Sequence, residues 1–173
     1  MQGQLEPDGQ QWKLRFTREL SHPREKVWRA LTEREHLRKW FPTDIEGERR
    51  SGAPLRFAFP NGEGPTLEGE MLVYDPPDLL ELRWGDETLR FELQPHGQGT
   101  ILTLVNTFEQ IGKASRDAAG WHACLDTLQY VLGDQRVPWS ETEHWQQLHA
   151  SYVESFGAEA STIGPPSDHP YMN

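Results

Sequence analysis

Cysteine is nearly absent. Cys124 stands alone, so no internal disulfide can form, and the small disulfide-stapled secreted scaffolds are excluded. No segment approaches the ~20 consecutive apolar residues of a membrane-spanning helix, which predicts no membrane insertion. The opening residues MQGQLEPDGQ lack the basic-then-apolar layout of a signal peptide. A cytoplasmic location is therefore expected, with Cys124 a buried thiol in a reducing compartment. Basic residues are in deficit, 17 Lys and Arg against 27 Asp and Glu, leaving a formal charge of −10. An acidic chain without a basic stripe argues against nucleic acid or an anionic membrane as partner.

The usual marks of catalysis are missing as well. His22, His36, His96, His144, His149 and His169 show neither the i, i+4 pattern of a zinc protease nor a Cys/His cluster, so no metal site is expected. There is no Gly-x-Ser-x-Gly elbow, phosphate loop or dinucleotide fingerprint. The sequence thus nominates no catalytic residue and no cofactor. His122 and Asp126, four apart, have the spacing of an oriented base, but helical phase puts both on a polar side.

What is present is a single domain's length of 173 residues with seven tryptophans, enough to bury a fair core. Ser115 to Gly133 is the segment around which the rest can be arranged. At about 100° per residue, Val131, Cys124, Leu128, Trp121, Leu132 and Leu125 fall within roughly 120°, opposite His122, Asp126, Ala123, Tyr130, Thr127 and Gln129. Gly133 is expected to end this helix through a positive φ.

Taken in order, residues 1–10 read as polar and frayed, and Trp12, Leu14 and Phe16 alternate with Lys13, Arg15 and Thr17 as a first strand. Ser21 is placed to cap a helix carrying Val27, Trp28, Ala30 and Leu31. Thr32 and Glu35 have capping-box spacing for a second short helix that turns Leu37, Trp40 and Phe41 inward. Five or six extended segments follow between Thr43 and Phe108, one of them with Leu67, Gly69, Met71 and Val73 on its inner face. Their short turns predict an antiparallel meander. Ser140 and Glu143 form another capping box, opening a helix with Trp145, Leu148, Tyr152 and Phe156 that packs outside the domain or on a second copy in a homodimer. The expectation is one α+β domain, 11–157, with a core of 11–133, an added helix over 140–157, and flexible termini at 1–10 and 158–173.

Phe16-Thr17-Arg18-Glu19, Pro23, Val27-Trp28, Ala30-Leu31-Thr32, Leu37 and Trp40-Phe41 together resemble the opening of the SRPBCC, or START-like (Bet v 1-like), superfamily. The branch they are similar to is named after the C-terminal domain of the Hsp90 ATPase activator. Gly69, Asp75-Pro76-Pro77, Leu80, Trp84, Gly99-Thr100, Gly120-Trp121-His122 and Leu125 extend the likeness over residues 11–133. The resemblance implies a helix-grip fold: a curved antiparallel sheet of six to seven strands wrapped around the long helix, two short helices after the first strand, and a cavity that in many relatives takes a hydrophobic small molecule. Asn106 stands where many relatives have a histidine, which weakens any acid–base scheme carried over from them, and Arg34 stands where many have proline.

By period, Trp40, Phe57, Phe59, Met71, Trp84, Phe91, Trp121 and Leu125 point into the sheet–helix interior. Pattern alone leaves two arrangements open, a solid core or a lined cavity. With the resemblance, these residues become the candidate binding set for an apolar or amphipathic ligand, lipids included. Arg18 is the candidate polar anchor at the cavity mouth, or else an exposed cation paired with a glutamate. Ligand binding is favoured over an enzyme of the cyclase or dehydratase type in the same cavity, and over an interaction protein resembling the Hsp90 co-chaperone.

Overall fold

The computed structural model describes residues 2–62 and 64–165. Strands β1 (Gln4–Asp8) and β2 (Gln11–Leu20) precede two short helices, α1 (Arg24–Thr32) and α2 (Arg34–Leu37). Strands β3 (Asp44–Glu46), β4 (Pro54–Ala58), β5 (Leu67–Asp75), β6 (Leu79–Trp84), β7 (Glu87–His96) and β8 (Gly99–Phe108) follow, then helices α3 (Ala114–Leu132) and α4 (Glu141–Phe156). All eight strands form one antiparallel sheet in the order β1-β2-β8-β7-β6-β5-β4-β3. The meander thus closes back on β2, and the sheet has eight strands rather than six or seven.

The additional strand is β1, in residues expected to be frayed. Polar composition hides it, but Asp8 and Gln11 pair across a two-residue turn whose first member, Gly9, has φ 62°. Only a residue without a side chain enters that region cheaply, and it is the turn that matches strand twist. At the other terminus, Glu159–Ser161 form a 3-10 turn, Ala160 is buried, and the Ile163 N–H donates to the Gly112 carbonyl at 3.0 Å. Residues 166–173 of the expected flexible tail lie outside the described residues.

One face of the sheet is apolar. Leu14, Phe16, Leu55, Phe57, Met71, Leu80, Leu82, Leu89, Phe91, Leu93, Leu102, Leu104 and Phe108 are all buried against Trp121, Leu125, Leu128 and Leu132 of α3 and against α1 and α2. Period-2 alternation holds through β7 and β8 but breaks in β5. Met71 pairs with Leu82 and Val73 with Glu81, which leaves Leu72 as a bulge. One extra residue flips the parity. Val73, expected inward, therefore pairs beside the outward Glu81, and Tyr74 takes the inner side with its ring 5.4 Å from Trp28.

Helix ends depart from expectation where local bonds compete. Pro23, not Ser21, is the cap residue of α1, and its carbonyl accepts from Lys26 and Val27. The Thr32 hydroxyl donates back to the Trp28 carbonyl at 2.8 Å, so Glu33 precedes α2 without a side-chain cap. Gly133 closes α3 with φ −91°, and the left-handed residue is Asp134. Ser140 does cap α4, accepting from the Glu143 N–H.

Helix α3 buries a different face from the one its apolar residues mark out. Its buried set is Ala114, Ser115, Ala118, Ala119, Trp121, His122, Leu125, Leu128 and Leu132, whereas Cys124 and Val131 are only partly buried. The face is broader than the hydrophobic arc because α4 covers the flank opposite the sheet with Trp145 and Tyr152. Small residues and one histidine line that flank, so its burial carries no strong apolar signature.

Candidate ligand-binding site

Trp84 ends β6, where the strand gives way to a two-residue turn, and its ring is partly exposed. Four aromatic rings converge on it: Phe57 at 4.7 Å between centroids, Phe41 at 5.6 Å, Trp121 at 5.9 Å and Phe59 at 6.4 Å. Most meet it edge to face, the arrangement in which ring quadrupoles attract. Trp40 joins behind Phe41 and reaches Phe91 at 6.3 Å, with its indole N–H donating to the Ala30 carbonyl at 2.8 Å. The structure therefore brings together six of the expected aromatic set, Trp40, Phe57, Phe59, Trp84, Phe91 and Trp121. Phe41 belongs with them; its inward direction was legible, but not its contact with both Trp84 and Trp121.

Leu125, one turn beyond Trp121, is buried in the same interior. Met71 lines a cavity of about 10 Å³ with Leu31, Leu37, Ile45, Arg49 and Leu82. That volume is near the lower limit for one water. Arg49 closes it from outside, donating to the carbonyls of Thr32, Ile45 and Gly47 at 2.8–3.0 Å.

A polar seam adjoins the rings. Glu87 is the cross-strand partner of Trp84, and Asn106 pairs with Leu89 two residues on, so all three side chains share the inner face of the sheet. The Asn106 amide donates to the Glu87 carboxylate at 3.3 Å and to the Thr88 carbonyl at 3.2 Å. Lys113 pairs with the other oxygen of Glu87 and lies 3.5 Å from Asp117, which sits one turn before Trp121.

Arg18 is neither at the ring cluster nor exposed beside a glutamate. It is 6% exposed on β2, with Nη1 donating to the Thr17 carbonyl and Nη2 3.9 Å from Asp126. Burial lowers its pKa, and the Asp126 charge opposes that shift. Asp126 also approaches His122 at 3.4 Å and His144 of α4 at 2.8 Å. His122 is held down to about 4, first by burial, with Asp126 opposing and Arg18 assisting. His122 and Asp126, expected to be a solvated pair, thus lie in the contact between α3, β2 and α4. The sequence signal for this was the apolar stripe on α4, which needed a surface to cover. Although Cys124 is only partly buried as a residue, its thiol is pushed up to about 12, chiefly by burial, which disfavours the nucleophilic thiolate. Among the described residues no cluster of three or more His, Cys, Asp or Glu could hold a metal ion, and no helix is long and apolar enough to cross a membrane.

A profile of the family described as activator of Hsp90 ATPase homolog 1-like protein matches residues 21–133. Among solved structures, CalU16 from Micromonospora echinospora is similar over 88% of this chain and 94% of its own, with 19% identity and a TM-score of 0.70. A conserved protein of unknown function from Enterococcus faecalis, EF2215, is similar over 89% and 90%, with 21% identity and a TM-score of 0.73. Protein NE0264 from Nitrosomonas europaea aligns over 74% of this chain and 97% of its own at 25% identity and a TM-score of 0.63. Comparison with curated proteins gives no match.

Proposed function

Since the chain belongs to the family of activator of Hsp90 ATPase homolog 1-like proteins and has their helix-grip type of fold, we propose that it binds a planar apolar or amphipathic small molecule between Trp84 and Trp121. The observation that carries this is the convergence of Phe41, Phe57, Phe59 and Trp121 on a tryptophan that still reaches solvent. A closed hydrophobic core has no need to leave its central ring at the surface. Exposed aromatic faces edged by polar groups are what a flat ligand requires.

The cavity beside Met71 takes about one water, too little for such a molecule. Binding therefore proceeds by parting rings already in contact. Each aromatic pair is worth about 0.5–1.5 kcal/mol beyond its area, and stacking on the ligand replaces those contacts. The set Trp40, Phe57, Phe59, Trp84, Phe91, Trp121 and Leu125 is assigned to the ligand or to its immediate support. Met71 and Arg18 are assigned to structure.

Binding is preferred here to a cyclase or dehydratase reaction. His122, the histidine with the strongly lowered pKa, faces Phe16 and Tyr152 rather than the rings around Trp84. Titration with naphthalene, 2-naphthol and dodecanol, read by tryptophan emission, tests the proposal. At least one should give saturable quenching in the native chain and none in Trp84→Ala, with the variant's far-ultraviolet circular dichroism unchanged. No saturable response to any of the three would end it.

A further inference from the structure

Asn106 is fully buried, and its two amide hydrogens are committed to Glu87 and the Thr88 carbonyl, yet its side-chain oxygen has no hydrogen-bond partner. The assignment of oxygen and nitrogen is fixed by those two contacts, since both neighbours accept and neither donates. A buried carbonyl left unpaired costs about 1–3 kcal/mol. The residue lies on the inner face of β8, flanked across the sheet by Leu14 on β2 and Leu89 on β7. Neither of these leucine side chains can donate. Asn106 thus stands on the face of the sheet turned to the helices, bonded to Glu87, whose cross-strand partner Trp84 meets Trp121.

The charge around it narrows the choice of donor. Glu87 would attract a cationic ligand, but Lys113 already neutralises it, and Asp117, 3.5 Å from Lys113, is paired with Arg116 at 2.8 Å. An ammonium entering here would meet the Lys113 charge, and a carboxylate would meet Glu87 and Asp117. A neutral O–H or N–H meets neither objection and completes the hydrogen bonding of Asn106.

Resting on the binding site proposed above, we infer that the ligand is an uncharged aromatic molecule carrying a hydroxyl or amine N–H, of the phenol type. Its ring is taken between Trp84 and Trp121, and its donor is received by the Asn106 side-chain oxygen. Such a site rejects an analogue of the same shape without the donor, because binding that analogue keeps the acceptor buried and unpaired.

The test compares 2-naphthol with 2-methylnaphthalene, which has nearly the same shape and the more hydrophobic substituent. Dissociation constants are measured by tryptophan quenching on the native chain and on Asn106→Leu. The native chain should bind 2-naphthol at least tenfold more tightly, and Asn106→Leu should remove or reverse that preference. Equal binding, tighter binding of the methyl compound, or a preference that survives in Asn106→Leu would overturn the inference while leaving the aromatic site standing. Should Asn106→Leu not fold, the two ligands on the native chain still decide the matter. Failure of both ligands to bind would remove the site itself, and the inference with it.

Discussion

With the imidazole proton on Nε2, Tyr152 of α4 donates its phenolic O–H to Nδ1 of His122 on α3. The Gly3 N–H donates to the Tyr152 oxygen at 2.6 Å, and that oxygen lies 2.7 Å from His122 Nδ1. His122 Nε2 faces the Asp126 carboxylate at 3.4 Å, so the ring proton belongs on Nε2 and leaves Nδ1 to accept. One chain of donors thus joins the start of the polypeptide, α4 and α3, and it works only with a neutral imidazole.

Protonation of His122 should therefore undo this junction. Its folded-state pKa, about 4, lies below the ordinary 6.5, so between those values the unfolded chain binds the proton more readily. Stability should be complete above about pH 6.5, fall as the pH drops toward 4, and lose at most about 3 kcal/mol from this residue. Among the described residues, Arg18 on β2, Asp126 on α3 and His144 and Tyr152 on α4 are the charged and titratable groups around it. Denaturant melts at pH 7.5 and 4.5 should show the loss for the native chain and a smaller one for His122→Asn. Equal losses would assign the effect to other groups.

Gly69 is fixed by a close approach of two strands. A Cβ built on it would lie 2.6 Å from the Phe57 ring and nearer still to the Arg83 carbonyl oxygen. Gly69→Ala should push β5 from β6 directly opposite Trp84, its cross-strand partner, and destabilise the fold by about 2–3 kcal/mol. The wavelength of tryptophan emission should shift to the red as Trp84 loses its Phe57 contact. A neutral result in urea titration would contradict the packing described.

The strands and the two sheet-facing turns of α3 were legible because hydrophobic periodicity reports directly on a one-sided interface, and Phe57, Leu89 and Leu128 obey it without exception. What escaped was decided by geometry that no local pattern encodes. The β1 strand is polar because it is an edge strand, paired only with β2, and most of its residues are exposed. The bulge at Leu72 adds one residue to an otherwise regular alternation, and the periodicity simply continues through it. The burial of His122 depends on where α4 docks, a long-range event that its own helix does not announce. In the candidate site, the inward direction of Trp84 and Trp121 was readable, but their mutual contact and the unpaired oxygen of Asn106 arise only when three strands and a helix meet.

Arg49 ties the loop before β4 to the end of α1. Its guanidinium donates to the carbonyls of Thr32, Ile45 and Gly47, and burial lowers its pKa. A cation at the C-terminal carbonyls of a helix is favourable both as a donor and through the helix dipole. Arg49→Met keeps the apolar stem over the small cavity but leaves the Thr32 and Ile45 carbonyls without their donor, and should cost about 2–3 kcal/mol. Arg49→Lys should recover less than half of that, since a single ammonium cannot reach all three oxygens in the fork geometry. Full recovery by lysine, measured by thermal unfolding, would show that charge alone matters.

The phase of α3 itself can be put to the test with two adjacent positions. Leu128 has no exposure at all and belongs to the face against the sheet, whereas Gln129 is exposed. Leu128→Asp places a carboxylate among apolar side chains with no cation to receive it. The group must either ionise in a poorly polarisable interior or remain protonated and unpaired, and either outcome costs several kcal/mol, about what a domain of this size has in total. Leu128→Asp should therefore fail to give a cooperative unfolding transition. Gln129→Asp changes a solvated side chain and should move the melting temperature by no more than about 2 °C. Similar shifts for the two would mean that the helix is rotated from the position in which Trp121 meets Trp84, and the proposed binding site would lose its geometry along with it.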